Sequence, residues 1–531
     1  MTRIRTVGTR AALGGLTAAV ALMTAQPAAR ADEAADLRAN QELLQRRVDQ
    51  LAQGNPGAGP YLDPSTGGPV AVQMTGGSFP RAFLIPGTDT SIRVGGEIRL
   101  NSTYWITGGN PAGFPGTNAG TTGQLNTIPL KGTPIGSTNS INRQRGEEVL
   151  SISAQQSKIS VETRTPTAWG EARSFIEFDF AGPNIAGQRI LATSGNLTPR
   201  MRYAYGTLGP LLFGQANSNF NDSDAGMESL EFGGLIGGGG PSRVPQIRWT
   251  QPLAGWWGLL GALSISAESP ETEIWSPGAG VYGNNAEEAP AIPAPTGASL
   301  AALTAARPSA TTTVANPLKS TAPEMVAAWY IPQPWGHVDF AAVWRPLLRV
   351  DTPFGQGIDK TYMGYGLAFS GDVKPRWFGW DRDFFTWNVV GGEAMGRYLY
   401  AGSGSSIGLI SNLTGNTLVN GTTLVKPTRG FSGNIAYRHQ WSPEWRSNIG
   451  VGYWRLDIPG LNGAVCPASS NATAGGGCNL NKELVMGKAN VIWAPVSFVD
   501  IGFEYNYGRR KVVSGQHGDE HVVVNRLRLR F

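Results

Sequence analysis

The sequence predicts an all-β protein, a 16-stranded antiparallel transmembrane β-barrel that is preceded by a short N-terminal coiled-coil helix. Three observations predict this class. Apolar and polar residues alternate along many segments, short proline-containing turns alternate with long polar connections, and the chain ends on the alternating stretch "HVVVNRLRLRF". Alternation over about ten residues is typical of strands with one face in lipid and the other in water. After the N-terminal region, no apolar run reaches the roughly 18 residues that a transmembrane helix needs.

The N-terminus has the pattern of an export signal. A basic stretch, "MTRIRTVGTR", precedes the apolar run "AALGGLTAAVALMTA" and the small-residue cleavage site at Ala29–Ala31. Residues 1–31 are therefore predicted to be a signal peptide. Its removal takes four arginines and no acid, which lowers the formal net charge from +5 to +1. The remaining charge gives no indication of a nucleic-acid partner.

Residues 32–53 predict a helix, because Leu37, Leu44 and Leu51 are seven residues apart and form one seam of a coiled coil. The alternative is a solvated amphipathic helix without a partner. Residues 54–81 are rich in Gly and Pro and predict a linker. The barrel domain is then predicted over residues 82–531.

The connections give the number of strands. Short turns containing proline are predicted at seven places, at Pro166, Pro210, Pro252, Pro332 and Pro334, Pro375, Pro443 and Pro495. Seven such turns join eight hairpins, so the barrel is predicted to have 16 strands. The first strand then begins, and the last strand ends, on the rim that carries the short turns. The long polar connections span about 106–146, 181–199, 215–243, 270–322, 351–361, 395–430, 457–481 and 510–520. Short turns on one rim and long loops on the other, with Trp and Tyr beside the turns, are typical of outer-membrane barrels.

The last segment predicts the closing strand. If Phe531 faces lipid, Leu527 and Leu529 do so too, and Arg526, Arg528 and Arg530 share the lumen face. The alternative is a surface strand of a soluble sandwich, which the count of 16 strands together with the export signal disfavours. The aromatic terminus also resembles the C-terminal signal that the outer-membrane barrel assembly machinery reads.

The same alternation assigns charged residues to the lumen in four further strands, while it directs Tyr203 and Tyr205 outward. The residues predicted to line the channel there are Lys158, Arg164, Arg173, Glu177, Asp179, Arg200, Arg202 and Arg248. A wall rich in arginine attracts anions and binds carboxylates. The alternative is that these bases only pair with nearby acids such as Glu162, Glu177 and Asp179.

The third long loop carries four acids, Asp222, Asp224, Glu228 and Glu231, among many glycines. If the loop folds into the barrel, these acids would face the basic wall across a constriction and orient dipolar solutes. If it stays at the mouth, it is an exposed loop. The sequence leaves both possibilities open.

The remaining motifs predict neither catalysis nor a cofactor. Cys466 and Cys478 predict one disulfide in an oxidising compartment rather than a metal site. "HGDEH" at His517–His521 fits a zinc-peptidase pattern but is not on a helix, and "GSSIG" at Gly404–Gly408 lies in a loop rather than on a strand–turn–helix elbow. No catalytic residue, metal site or cofactor is therefore predicted.

Four segments resemble the DcaP-like trimeric porins. They are "SFPRAFLIPGTDTSIRVGG" at Ser78–Gly96, "RMRYAYGTLGPLLFGQANSNF" at Arg200–Phe220, "ESLEFGG" at Glu228–Gly234 and "PQIRWTQP" at Pro245–Pro252. The resemblance implies a 16-stranded trimeric channel with a periplasmic coiled coil, which serves small and often negatively charged organic solutes. The large insertion at 270–322 departs from the family.

These observations together predict a passive porin of the bacterial outer membrane, without enzymatic activity, that passes small hydrophilic solutes and prefers anionic ones such as (di)carboxylates. The expected partners are outer-membrane lipid, these solutes, two further copies in a homotrimer and the barrel assembly machinery, with no nucleic acid. Two alternatives remain at this point, namely a barrel hydrolase and a structural or adhesive barrel that acts through its long loops.

Overall fold

The computed structural model divides the chain into the units Met1–Gly76 and Gly77–Phe531 and describes most of the second. The described residues are 76–108, 148–181, 199–231, 233–240, 242–253, 260–271, 273–276, 280–283, 318–351, 359–380, 382–400, 408–411, 425–459 and 480–531. The predicted signal peptide, the coiled-coil helix, most of the linker and both cysteines lie outside these residues.

The described residues form 23 strand segments and two short 3-10 helices, Trp377–Gly379 and Gly396–Tyr398. No helix among them is long and apolar enough to span a membrane. The strands are β1 Phe83–Leu84, β2 Ser91–Thr107, β3 Val149–Ser153, β4 Lys158–Thr167, β5 Gly170–Asp179, β6 Arg200–Leu208, β7 Leu211–Asn217, β8 Arg243–Pro252, β9 Ala262–Glu268, β10 Glu273–Ser276, β11 Gly280–Gly283, β12 Leu318–Ser320, β13 Glu324–Gln333, β14 Gly336–Asp351, β15 Asp359–Val373, β16 Phe384–Glu393, β17 Leu409–Ser411, β18 Val425–Pro427, β19 Arg429–Gln440, β20 Trp445–Asp457, β21 Asn481–Val496, β22 Val499–Val512 and β23 His517–Arg530.

Sixteen strands close into an antiparallel ring, as the sequence predicts. The order around the ring is β2, β4 to β9, β13 to β16, β19 to β23 and back to β2, and β3 continues β4 along the edge of β2. Closure is made by the last strand, which pairs with β2 from Glu97↔Arg530 to Thr107↔His521. Phe531 and Gly96 then exchange two backbone hydrogen bonds of 3.1 Å. The ring therefore has no open edge among these strands.

Short turns and long connections lie on opposite rims, and each of the seven predicted turns connects two neighbouring strands of the ring, although most of the turn after Pro252 lies outside the described residues. Four of the prolines, Pro166, Pro252, Pro332 and Pro495, are nevertheless strand residues at the rim rather than turn residues. A proline near a strand end costs the sheet few hydrogen bonds, because few cross-strand hydrogen bonds remain to be made there. Within β14, Pro346 lies where the pairing with β15 shifts between Arg345 and Leu348, so the proline is accommodated by a bulge.

Two of the long connections contain short strands that the sequence did not predict. β10 pairs with β11 and, in parallel, with β17, which in turn pairs with β18. These segments form a separate four-stranded sheet outside the ring. It joins the connection that follows β9 to the one that follows β16.

A β-bulge in β6 overturns the predicted outward direction of Tyr203 and Tyr205. Glu177 pairs with Tyr203, whereas the next residue of β5, Phe178, pairs with Met201. Arg202 is therefore the extra residue, and the alternation is reversed on its C-terminal side. The rings of Tyr203 and Tyr205 lie 5.9 and 5.6 Å from the inward ring of Phe175. Both tyrosines thus face the lumen.

The outer surface is apolar over the height of the strands. Large apolar side chains that face outward are exposed on every side of the ring, among them Ile98, Ile159, Ile176, Phe213, Ile247, Leu367, Ile435, Ile449, Leu527 and Leu529. Exposed aromatic residues lie beside the short turns, namely Trp169, Trp335, Trp377, Trp441, Trp445 and Phe498. An apolar band bordered by aromatic side chains is the surface that a barrel presents to lipid.

The interior is not uniformly polar. On β13 to β21, inward side chains such as Val343, Trp454 and Met486 belong to one buried apolar cluster. They pack against Ile236, from the connection between β7 and β8, and Leu399, from the connection after β16. Chain segments inside the barrel therefore cover this half of the wall.

A buried ionic network lies at the border of this cluster. The Glu324 carboxylate accepts hydrogen bonds from Arg345 Nε at 2.7 Å, Arg397 Nη2 at 2.6 Å and the Tyr398 hydroxyl at 2.7 Å. Glu324 is 1% exposed and Arg345 is fully buried. Removal of one partner would leave a buried charge without compensation.

We expect Glu324→Ala to lower the free energy of unfolding by about 3–5 kcal/mol, because Arg345 would remain buried without its acid. Denaturant unfolding of the detergent-solubilised barrel measures this loss. The matched control is Glu393→Ala, which removes an acid paired with the exposed Arg429 at 2.8 Å. Its cost should stay below about 1 kcal/mol. Equal losses for both variants would contradict the importance of the buried network.

Candidate functional site

The third loop, residues 218–242 between β7 and β8, lies inside the barrel. Its Leu230 is fully buried against Ile492 of β21 and Val522 and Val524 of β23. Its backbone is bound as well, since Leu230 N donates to Glu504 at 2.8 Å and Gly238 N donates to Ser432 Oγ at 3.0 Å. Of the two placements that the sequence leaves open, the structure has the inward one.

Glycines on the inner wall make room for the third loop. A Cβ at Gly452 of β20 would lie 2.1 Å from the Ile236 carbonyl oxygen, and one at Gly450 would lie 2.9 Å from Met227 Sδ. A Cβ at Gly502 of β22 would lie 2.7 Å from the side chain of Leu230. The loop can approach this closely only because the wall lacks side chains at these positions.

Glu228 fastens the middle of the third loop to the wall. Its carboxylate accepts hydrogen bonds from Arg446 at 2.7 and 2.8 Å and from Arg438 at 2.8 Å, and Arg528 lies 3.7 Å away. Burial by itself raises the pKa of Glu228, but the hydrogen bond from Arg446 and the charges of Arg438 and Arg446 outweigh it, so the pKa lies below its usual value of 4.5. The carboxylate therefore stays charged in mild acid.

Two further acids of the third loop also bind wall residues. Glu231 contacts Lys488 Nζ at 2.6 Å, and both side chains are fully buried. Asp222 contacts His337 Nε2 at 2.8 Å. Of the four predicted acids, only Asp224 is exposed. The other three anchor the loop instead of facing the opposite wall across open lumen.

Three bases near the turn-side rim, the predicted Arg164 and Arg173 and also Arg93, contact the carboxylate of Glu162. Glu162 contacts Arg93, accepts from Arg164 Nε at 2.9 Å and accepts from Arg173 Nε at 2.7 Å. The guanidinium of Arg164 also lies 4.4 Å from the centre of the Phe79 ring. Glu162 thus serves three guanidiniums, and Arg164 also contacts the exposed Glu171 at 3.4 Å, so three arginines face two acids in this part of the wall.

A second group lies farther along the same strands. Asp179 accepts two hydrogen bonds from Arg200, at 3.0 and 2.6 Å, and one from Arg202 at 2.8 Å. Glu177 accepts from Arg202 Nε at 2.6 Å and lies 4.0 Å from Lys158. The predicted alternation brings these five residues together on the inner wall.

The bases of the closing strand and Arg248 line the interior beside the third loop. Arg528 is paired with Asp500, which also contacts Arg530 at 2.9 Å. Arg526 donates from Nη1 to the Ser229 carbonyl at 3.1 Å, while its Nε and Nη2 have no hydrogen-bond partner among the described residues. Arg248 donates to Asn219 Oδ1 at 3.3 Å.

Solvent reaches the basic wall much more than the half under the third loop. The inward side chains of Arg93, Arg173 and Arg200 are 35%, 31% and 30% exposed. Arg345 and Lys488, on the other half, are fully buried. Arg438 of β19, beside Glu228, is also 31% exposed, so water reaches the interior along β2, β4, β5 and β6 and at this point of the other half.

The geometry agrees with a known family. A family model described as the Porin subfamily matches residues 81–525, which is most of the chain. The chain belongs to the Porin subfamily. This porin is similar in fold to the outer membrane channel DcaP of Acinetobacter baumannii, at 20% identity and a TM-score of 0.57, with 85% of this chain and 99% of that chain covered. The predicted resemblance to DcaP-like porins is confirmed, and the family and the barrel place the protein in the outer membrane.

Two other solved structures are more distant from this porin. OmpT of Vibrio cholerae in its trimer form has 8% identity and a TM-score of 0.41, with 83% of this chain and 99% of that chain covered. The anion-selective porin from Comamonas acidovorans has 6% identity and a TM-score of 0.41, with 83% and 100% covered. Neither supports a conclusion about this chain. No curated protein matches it.

Several functional residues of this porin were missed by the sequence reading, namely Arg438, Arg446, Lys488 and His337. The alternation of each strand places these side chains on the lumen face, so the sequence contained a pattern from which they could have been predicted. On β21, however, Lys488 shares the inward face with Met486 and Leu484, which are buried and apolar. The rule that inward residues are polar fails there because the third loop covers them.

The motifs that resemble enzyme signatures form no site in the described residues. Glu520 is buried on the inward face of β23, whereas His517 and His521 alternate to the other face, so the three side chains cannot share one ligand. No group of potential metal ligands occurs among the described residues. Of Gly404–Gly408, only Gly408 lies within the described residues.

We expect Gly452→Val to destabilise this porin by about 1–3 kcal/mol, because the new side chain would overlap the backbone of the third loop. Gly487→Val is the matched control on the neighbouring strand, since a Cβ there would meet nothing within 4 Å. Its effect should stay within about 0.5 kcal/mol. Urea unfolding in detergent compares the two variants. A loss at Gly487 as large as that at Gly452 would count against the close approach of the loop.

The contact by which Glu228 holds the third loop should weaken as the pH falls. Because the pKa of Glu228 is lowered in the folded protein, its contribution to stability is present above the usual value of 4.5 and is lost as the pH falls through the lowered pKa. We therefore expect single-channel currents to be unchanged between pH 7 and pH 5 and to become noisier below about pH 4.5 as the loop loosens. In Glu228→Gln channels the noise should be present already at pH 7. Quiet Glu228→Gln currents at pH 7 would refute this role.

Proposed function

We propose that this porin is a passive diffusion channel for small hydrophilic solutes that prefers anionic organic solutes such as (di)carboxylates. The observation that carries the proposal is the excess of inward bases over inward acids on the wall formed by β2, β4, β5, β6 and β23, where Arg93, Arg173 and Arg200 are partly solvated. On β2, β4, β5, β6 and β23 the inward bases are Arg93, Arg99, Lys158, Arg164, Arg173, Arg200, Arg202, Arg526, Arg528 and Arg530, and the inward acids are Glu97, Glu162, Glu171, Glu177, Asp179 and Glu520.

Pairing with acids does not cancel this excess. Glu97 lies within 4 Å of Arg99, Lys158 and Arg528, at 3.4, 3.6 and 3.8 Å. Glu162 likewise serves three arginines, and Asp179 serves two. Because each acid is shared by several bases, positive charge remains on the wall. The alternative, in which the charges merely neutralise one another, accounts for only part of the bases.

The chemistry of these bases suits carboxylates. A guanidinium presents a planar pair of N–H donors that matches a carboxylate, and it keeps its charge at every physiological pH. The partial solvent exposure of Arg173 and Arg200 supports a site that solutes can reach. Charges that line a water-filled passage raise the local anion concentration without the tight binding that would stop transport.

An aromatic group beside these bases supports a preference for organic over inorganic anions. The inward rings of Phe175 and Tyr205 each lie 5.7 Å from the guanidinium carbon of Arg173, and Arg243 lies 5.4 Å from the ring of Tyr203. A solute with a carbon skeleton can contact these rings while its carboxylate contacts an arginine. An inorganic anion can make only the contact with the arginine.

The assembly belongs to the proposal as well. We infer that residues 1–31 are removed on export, that residues 32–53 form a periplasmic coiled coil and that three copies assemble into a trimer in outer-membrane lipid after insertion by the barrel assembly machinery. The sequence resemblance to DcaP-like trimeric porins supports the trimer, and the heptad spacing of Leu37, Leu44 and Leu51 supports the coiled coil. We also infer a disulfide between Cys466 and Cys478.

Reversal potentials in planar bilayers under a KCl gradient test the selectivity. We expect the wild-type channel to be anion-selective, and we expect Arg173→Gln/Arg200→Gln to lower the ratio of chloride to potassium permeability by about twofold or more, since two solvated charges leave the wall. Succinate should reduce the chloride current of the wild-type channel more than that of the double variant.

The control is Arg455→Gln, which removes a half-exposed arginine on the outward side of β20. It should leave the permeability ratio unchanged. A cation-selective wild-type channel, or equal ratios in the wild type and the double variant, would overturn the proposed selectivity.

A further inference from the structure

A second chain segment enters the lumen from the connection that follows β16. Residues Ala394–Tyr400 begin with positive φ at Ala394 and Gly396, at 51° and 52°, and turn back into the barrel. Met395 and Leu399 are 2% and 3% exposed. The segment, here called the brace, thus belongs to the interior and not to an external loop.

The inner wall is shaped to receive the brace. A Cβ at Gly366 of β15 would lie 2.4 Å from Met395 Cε, and a Cβ at Gly430 of β19 would lie 2.2 Å from Leu399 Cδ2. Neither contact could exist with a larger wall residue. These glycines leave room for the brace, just as Gly450 and Gly452 leave room for the third loop.

The last residue of the brace, Tyr400, is bonded to the third loop through its backbone and its side chain. Gly237 N donates to the Tyr400 carbonyl at 3.2 Å, and Tyr400 N donates to the Gly238 carbonyl at 3.3 Å. The Tyr400 hydroxyl donates to the Gly233 carbonyl at 2.7 Å. A Cβ at Gly240 would lie 3.0 Å from the Tyr400 ring, so the loop backbone rests against this ring.

The two segments also share their anchor at the barrel wall. The Tyr398 hydroxyl, whose single proton is shared between Glu324 and Glu268, lies 3.0 Å from Glu268, and Glu268 also accepts from Ser218 Oγ and Asn219 N at the start of the third loop. The ring of Tyr398 packs edge-on against Phe220 at 5.3 Å. Glu268 therefore fixes the beginning of the third loop and the brace together.

The third loop needs such support because of its composition. Four consecutive glycines, Gly237–Gly240, form its returning half, and glycine loses more conformational freedom on ordering than any other residue. This is the stretch that Tyr400 bonds and covers. Its position in the lumen is thus set by the brace more than by its own preferences.

We propose that Ala394–Tyr400 is a second constriction element, and that Tyr400 is a positioning residue that sets the free cross-section of the channel and therefore its solute size limit. The proposal rests on the proposed channel function but not on its preference for anions. It follows that removal of the Tyr400 side chain lets the returning half of the third loop move away from its position at the constriction, which widens the passage.

Two readouts test the proposal, namely the single-channel conductance and the size limit for neutral sugars in liposome swelling. We expect Tyr400→Ala to raise the conductance by about 1.5-fold or more and to admit larger sugars, because the loop loses a hydrogen bond and the surface on which it rests. Tyr400→Phe keeps that surface and loses only the bond to Gly233. Its size limit should return to that of the wild type, while its current noise should rise.

Tyr365→Phe is the matched control, since this tyrosine lies on the outward face of β15 and is 51% exposed. It should behave as the wild type. The heat-dependent migration of the barrel in gel electrophoresis reports whether each variant is folded, and if Tyr400→Ala does not fold, the noise of Tyr400→Phe carries the test. A folded Tyr400→Ala with wild-type conductance and size limit, or a Tyr400→Phe with wild-type noise, would overturn the proposal. A wild-type channel that passes sugars without preferring anions would contradict only the proposed selectivity.

Discussion

The Glu228 carboxylate lies between the guanidiniums of Arg438 and Arg446, and this contact ties a glycine-rich loop to the inside of the barrel. A ring of 16 strands encloses a wide aqueous passage unless chain segments fill part of it. Ordering a glycine-rich segment there costs backbone entropy that the loop cannot recover alone. Charge-assisted hydrogen bonds at Glu228 and Glu231, together with the burial of Leu230, offset that cost. The rest of the interior depends on this attachment.

Attachment to one side divides the inner wall into two environments. Under the third loop and the brace, inward residues such as Val343, Trp454 and Met486 are as apolar as the core of a soluble protein. Against β2, β4, β5 and β6, where neither segment lies, inward residues are charged and partly solvated, as Arg173 and Arg200 are. The barrel thus buries apolar residues on both faces of one half of its wall, while water remains in contact with the inner face of the other half.

This division decides how far the sequence alone could predict the molecule. Alternation and turn chemistry are local, so the ring, its seven turns and the inward bases of β4, β5 and β23 could be predicted from nearby residues. The direction of Tyr203 and Tyr205 could not, because one extra residue at Arg202 reverses the alternation and no Gly or Pro marks the bulge there. The Glu228 and Tyr398 contacts join residues separated by between 74 and 218 positions in the chain, which no periodicity reports.

The use of the loop acids as anchors has a consequence for the field inside the channel. If Asp222, Glu228 and Glu231 faced the basic wall across open water, the passage would hold opposite charges on opposite sides and would orient dipolar solutes. In the structure all three are engaged with His337, Arg438, Arg446 and Lys488 on the covered half of the wall. The charge that solvent reaches is then mainly that of the arginines on β2 to β6. A passage with net positive charge along one side selects by net charge, and this is the physical basis of the proposed preference for carboxylates over zwitterions of the same size.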